Sequence, residues 1–137
     1  MKNELHVFFD YICPFCLRAH NYLKELMPEY PDLSIVWHPC ESHPRPDRYG
    51  PHSDLCIQGY FYALSAYVSD MVDVNNFKQS IQQGIYLKKL AKSNELAFEH
   101  SGVWAVPAYR MGDLKLDAVE NVGVNKEQIR QILKGGK

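Results

Sequence analysis

The stretch LHVFFDYICPFC, residues 5–16, decides how this chain is read. Its first half, Leu5 to Asp10, is dense in β-branched and aromatic residues and too short for a helix, so it reads as a buried strand. Its second half opens a helix. Pro14 would break a helix interior but is favoured at the first helical position, where its missing N–H costs nothing. From there Leu17, Ala19, Leu23, Leu26 and Met27 recur at helical spacing until Pro28 and Pro31 close the element. Cys13 then falls at the N-cap.

Working outward, Leu33 to His38 reads as a second strand. The intervening helix is long enough for a right-handed crossover, which predicts a βαβ unit with parallel strands. His38 to Ser53 carries four prolines and Gly50 without an apolar period, and reads as a linking loop. Leu55, Cys56, Gly59, Tyr62, Ala63, Ala66 and Tyr67 line one helical stripe. Val74, Phe77, Ile81 and Ile85 begin a second helix, capped by Asp73 or Asn75 and running to about Lys92, with Gly84 weakening it by about 1 kcal/mol relative to Ala. A short third helix is expected from Asn94 to His100, ending at Gly102.

Beyond it, Ala108 to Met111 and Leu114 to Asp117 flank Gly112 and Asp113, a dipeptide suited to the positive φ of a tight hairpin. Asn125 with Gln128 resembles a capping box, and Ile129, Ile132 and Leu133 give a last helix its apolar face. The order β-α-β, helices, β-β-α emerges: an α/β fold in a single domain spanning 1–137, with a helical subdomain inserted over 52–101.

Composition narrows the function. With 137 residues, 46% hydrophobic and 23% charged, and a net charge of −1, the chain is an ordinary globular domain with a sizeable core. No Lys/Arg block offers a footprint for phosphate backbones or anionic lipid, so nucleic acid and membrane partners are disfavoured. The apolar run at Leu5 to Phe9 is too short and too interrupted for a signal peptide or a membrane helix, so a cytoplasmic location is expected, an earlier trimmed export signal remaining compatible with the same text. Oligomeric state is not legible.

Four cysteines are too few for a disulfide-stapled scaffold, and the informative feature is the pair Cys13 and Cys16. Disulfide exchange needs a thiolate, and a helix N-terminus favours one through its unpaired N–H groups and dipole. Cys13 is therefore read as the nucleophile, with a pKa below the free value of about 8.5. Cys16, one turn further in, is less accessible and resolves the mixed disulfide. Pro14 stiffens the turn, and Phe15 adds apolar surface without a donor or cation.

A metal reading competes, because Cys13, Cys16, Cys40 and His43 spell two C-x-x-C/H pairs. Context favours redox and no metal: structural zinc pairs sit in turns of small, coreless domains, whereas this pair follows a buried strand and opens a helix. Cys40 and Cys56 are read as small buried or half-buried apolar residues. Asp10 reads as a turn or cap residue and His6 as a partly exposed strand residue. His38, His43, His52 and His100 look like loop or helix-end residues. Of Phe9, Tyr11, Phe15, Trp37, Trp104 and Tyr109, most are expected in the core, and some as an apolar rim for extended polypeptide.

The Asp10 to Cys16 segment, together with Gly102 to Ala108 (GVWAVPA), the hairpin and the last helix, resembles the DsbA-like branch of the thioredoxin superfamily, most closely its cytoplasmic FrnE-like members. The likeness covers about the first forty and last forty-five residues. It implies a thioredoxin fold with a mixed sheet and an inserted helical subdomain, a Cys13/Cys16 redox-active disulfide centre, and a cis bond between Val106 and Pro107. Base rates oppose that last point, since about 5% of X–Pro bonds are cis. It further implies that Pro107 packs beside the pair and obstructs a metal there, and that the Val106 backbone pairs with extended substrate, with Tyr11 and Trp104 as further contacts. Two departures stand out: the insertion is short, and the middle of the first strand carries no acidic residue.

The expected function is thiol-disulfide oxidoreduction on extended or unfolded polypeptide or a small thiol, with no cofactor beyond the pair and glutathione as a possible co-substrate. A glutathione-dependent transferase or isomerase of the kappa or hydroxychromene-carboxylate type is the second enzyme reading, opposed by the presence of both cysteines. A zinc-binding or peptide-binding module without turnover is the rival from another class.

Overall fold

The structure is a computed structural model, described here for residues 3–42, 53–69 and 73–135. His43, His52 and most of the expected loop lie outside the described residues. Strand β1 (Asn3–Phe9) is followed by helix α1 (Pro14–Leu26), a 3-10 turn at Met27–Glu29, and strand β2 (Leu33–Pro39). Helices α2 (Ser53–Ser69), α3 (Val74–Gln83) and α4 (Leu87–Glu95) come next. Strands β3 (Ala108–Met111) and β4 (Leu114–Asp117) and helix α5 (Lys126–Leu133) complete the order.

The four strands form one mixed sheet in the order β2-β1-β3-β4. β1 runs parallel to β2 and antiparallel to β3, with Val7 opposite both Trp37 and Tyr109. Alternation sends Leu5 and Val7 to one face, where they pack with Ala19, Leu23 and Leu26 of α1 and Ile129, Ile132 and Leu133 of α5. Phe8 and Ala108 point to the other face and pack with Cys40, Ala97 and Val103. Each fully buried Leu or Ile in these layers is worth roughly 1.5–3 kcal/mol of transfer free energy. The packing brings the C-terminal end of β1 against the first turn of α1, which is where the candidate site forms.

Local signals placed several boundaries. Asp73 caps α3, accepting the N–H groups of Asn75 at 2.7 Å and Asn76 at 3.2 Å. Asn125 and Gln128 form a reciprocal capping box at 2.8 and 2.9 Å. Gly112 turns the hairpin with φ 58.

Three expectations are corrected. The helix expected from Val74 to Lys92 is two helices, because Gly84 adopts left-handed φ 63 and ends α3. The separate helix expected at Asn94 to His100 is instead a π-helical continuation of α4 over Leu96–His100. Asn94 starts nothing, since its side chain is engaged by Glu41: Oδ1 accepts the Glu41 N–H at 2.8 Å and Nδ2 donates to Glu41 Oε1 at 2.9 Å. His38, placed both at the end of the expected second strand and among the loop or helix-end histidines, belongs to the strand: it lies in β2 and stacks on His6 and Phe8.

Candidate active site

Cys13 is the N-cap of α1, in extended conformation, with Pro14 at the first helical position. Its N–H donates to the Asp10 carbonyl at 3.1 Å, and its own carbonyl accepts from Cys16 at 3.1 Å and Leu17 at 3.2 Å. Cys13 is partly exposed, Cys16 is 6% exposed, and both are free thiols.

The two sulfurs are electrostatically unequal. The Cys13 thiol is lowered to about 6, first because the Cys16 thiol donates to it, against the cost of burial, with support from the backbone N–H groups of Cys16 and Phe15. The nearby Asp10 charge opposes the shift. Cys16 is pushed up strongly by that same bond and by burial. The expectation of an acidified Cys13 thus has a second cause beside the helix terminus: the neighbouring thiol is the larger contribution.

Across from the pair, the Val106–Pro107 peptide bond is cis, Pro107 is buried, and Cys13 Sγ lies 3.9 Å from the Val106 carbonyl oxygen. Tyr11, 43% exposed, stands next to Cys13, with its phenol pushed up to about 12 by burial and by Tyr60 and Cys56 nearby. Phe15 turns away from the pair toward Gly123, beneath the Arg18 guanidinium at 5.4 Å. Trp104 is 74% exposed and does not line the space beside Cys13. Of the expected aromatic core, Tyr109 is fully buried, whereas Phe9, Phe15 and Trp37 are half-buried and Tyr11 and Trp104 exposed. Phe9, Tyr11 and Trp37 border an open cavity beneath Cys13.

That cavity, about 300 Å³, is walled by Val7, Phe9, Leu17, Leu23, Trp37 and Tyr60, with Cys13, Cys16 and Pro107 at one side. Phe9 meets Tyr11 and Trp37 edge-on at 5.0 and 5.9 Å, and His20 meets Trp37 at 5.2 Å. The sequence analysis gives Leu17 only a place on the helical stripe and gives His20 and Tyr60 none at the site; the i, i+4 spacing of Cys16 and His20 on α1 is the one available signal.

Asp10 is more than a turn residue. It is 1% exposed, and its carboxylate accepts from the Ile12 N–H at 3.2 Å and from the Ser42 N–H and hydroxyl at 2.9 and 2.7 Å. Cys40 is buried, its Sγ 3.6 Å from the Phe9 carbonyl oxygen, and burial with the Asp10 and Glu41 charges pushes its thiol up to about 12. Cys56 is exposed on α2, contrary to the buried or half-buried reading. Among the described residues no group of three or more His, Cys, Asp or Glu could hold a metal ion, and His43 lies outside them.

A four-stranded mixed sheet with a cysteine pair opening α1 opposite a cis-proline is the architecture of a thioredoxin-fold protein. Residues 4–56 match the family described as DSBA-like thioredoxin domain. The catalytic domain of ScsC from Proteus mirabilis superposes with TM-score 0.67 at 23% identity, covering 99% of this chain and 84% of that one. A thioredoxin-like oxidoreductase from Silicibacter pomeroyi gives TM-score 0.64 at 19% identity over 98% and 89%. The thiol-disulfide exchange protein alpha-DsbA2 from Wolbachia pipientis gives 0.64 at 15% over 98% and 82%. No curated protein matches by sequence. The chain shares the thioredoxin fold of these proteins.

Proposed function

We propose that this protein is a thiol-disulfide oxidoreductase acting on extended or unfolded polypeptide, with Cys13 as nucleophile and Cys16 as resolving thiol. The observation that carries the reading is the pairing of an acidified, partly exposed Cys13 with a buried Cys16 whose proton is held tightly. In the reductive direction the Cys13 thiolate attacks one substrate sulfur, the substrate S–S bond breaks, and the other sulfur leaves as a thiolate that takes a proton from solvent. Cys16 then loses its proton and attacks Cys13, forming the Cys13–Cys16 disulfide and releasing the second substrate thiol. Two electrons pass from the pair to the substrate, and a small thiol such as glutathione restores the pair. The pair is itself the redox group, so no resident cofactor is required.

Pro14 and Phe15 shape the turn, and Pro107 presents the Val106 backbone to an extended substrate beside Cys13. Tyr11, which lines the space beside Cys13, is a further substrate contact, whereas the exposed Trp104 stands outside that space. In a reducing cytoplasm the dithiol form prevails and the work is reduction or isomerisation. The test is reduction of insulin disulfides by a thiol-driven turnover assay. The parent protein accelerates it, Cys13→Ser abolishes the acceleration, and Cys16→Ser accumulates mixed disulfides; unchanged activity in Cys13→Ser would overturn the reading.

A further inference from the structure

Strand alternation gives the sheet two chemically different faces. Val7, Phe9 and Trp37 line the cavity beside Cys13, whereas His6, Phe8 and His38 stack together on the opposite face. There His6 Nδ1 lies 2.8 Å from His38 Nε2, a meeting set by the parallel register of β1 on β2. The Phe8 ring packs on His38 at 4.7 Å and fixes its plane. The exchange chemistry uses none of these groups.

Glu4 Oε1 accepts from His6 Nε2 at 2.8 Å. In the neutral pair His6 therefore carries its proton on Nε2 and turns its Nδ1 lone pair toward His38, whose Nε2–H it accepts. A carboxylate on the far nitrogen of an imidazole is the arrangement that orients and strengthens a metal-binding histidine. A divalent ion can take the place of the one shared proton, which moves to His38 Nδ1 by way of solvent, so both rings stay neutral and no proton is released overall. A metal–imidazole bond is about 2.0–2.1 Å long, and two of them span about 2.9 Å at a right angle and about 3.3 Å at the tetrahedral angle. The two nitrogens are within roughly half an ångström of either spacing, and ring rotation that turns the lone pairs from each other to the ion is the motion required.

The surroundings accept an added cation. The His6 and Glu4 side chains are 36% and 47% exposed, so an ion reaches them from solvent and keeps water on its remaining positions. Glu4 supplies a negative charge, and Arg110, opposite His6 on β3, is already paired with Asp117. Imidazole nitrogen suits Zn²⁺ and Ni²⁺, whereas Mg²⁺ and Ca²⁺ take oxygen ligands. We propose that His6 and His38, oriented by Glu4, form a binding site for a divalent transition ion of the Zn²⁺ or Ni²⁺ class on the face of the sheet opposite the cysteine pair. The site stands or falls independently of the exchange reading.

The experiment titrates the untagged full chain, its Cys13 and Cys56 thiols alkylated with iodoacetamide, with Zn²⁺ or Ni²⁺ in a calorimeter near neutral pH. Neither ion oxidises thiols, and alkylation keeps both away from the exposed sulfurs. One equivalent is expected to bind, and Mg²⁺ is expected not to. His6→Gln and His38→Gln should each weaken binding by more than tenfold, and Glu4→Ala by about tenfold, the usual cost of removing a group that orients a ligand. His100→Gln, whose ring meets Glu95 at the end of the π-helical turn, should stay within twofold of the parent. Thermal unfolding without the ion checks that each variant is folded, and the half-exposed Glu4 supplies one that carries little of the packing. The absence of saturable binding to the parent overturns the site. So does an affinity that survives either His6→Gln or His38→Gln, or one that His100→Gln weakens equally. An unchanged affinity in Glu4→Ala overturns the orienting role of the carboxylate.

Discussion

His6 Nδ1 lies 2.8 Å from His38 Nε2, so one ring must donate and the other accept, and the pair cannot carry two full charges without losing that bond. Glu4 Oε1 accepts from His6 Nε2 at 2.8 Å, which orients the first ring. His38 is pushed down from its ordinary value by burial and then by His6, with Glu4 partly opposing. A histidine depressed in the folded state binds its proton more readily when unfolded. Its contribution is therefore present above the unfolded value of about 6.5 and is lost as pH falls toward the folded value. Thermal unfolding is expected to shift to lower temperature between pH 7 and pH 5. His38→Gln, which cannot titrate, should flatten that slope; an unchanged slope would assign it to other groups.

The acidity of Cys13 depends first on its partner. Rates of Cys13 alkylation against pH should show a midpoint at about 6 in the reduced protein. Cys16→Ala removes the donor that makes the largest contribution and leaves the helix terminus in place, so the midpoint should rise toward the free-cysteine value of about 8.5 without fully reaching it. A midpoint that stays put would make the backbone N–H groups the main cause.

What the sequence made legible was local. Pro14 after Cys13, Asn125 with Gln128, and Gly112 with Asp113 each act within one turn of chain, and the structure contains the cap, the capping box and the hairpin they describe. The relationships that build the site join distant segments. Asp10 meets Ser42, and His6 meets His38, each across 32 residues. Trp37 and Tyr60 reach the Cys13 cavity from β2 and α2. No periodicity encodes such meetings, because they follow from the parallel register of β1 on β2 and from where the helices between β2 and β3 come to rest. Asp10 illustrates the limit: its turn bond to Ile12 is a local pattern, whereas its burial depends on Ser42.

Gly84 ends α3 at φ 63, and a Cβ there would fall 2.7 Å from Leu87 Cδ1. Gly84→Ala should therefore destabilise the fold, by about 1–2 kcal/mol from the left-handed backbone. Leu87 can yield, being the far end of an exposed side chain, so the contact adds little. Chemical denaturation at constant slope checks it. A stability gain, as expected for Gly to Ala inside a continuous helix, would contradict the break between α3 and α4.

Asp10 offers two separable effects. Its carboxylate holds the active-site turn to the end of β2 through the Ile12 and Ser42 N–H groups and the Ser42 hydroxyl. Asp10→Ala leaves those donors without their acceptor, at about 1–3 kcal/mol for each that stays buried and unsatisfied. Asp10→Asn keeps an acceptor oxygen but removes the charge, which opposes ionisation of Cys13. The expected outcome is a small loss of stability together with an alkylation midpoint below the parent's. The midpoint is the discriminating measurement: a role confined to holding the turn would change the denaturation midpoint and leave the pH profile of Cys13 where it was, whereas removing a nearby negative charge moves the profile to lower pH because the thiolate no longer forms beside it.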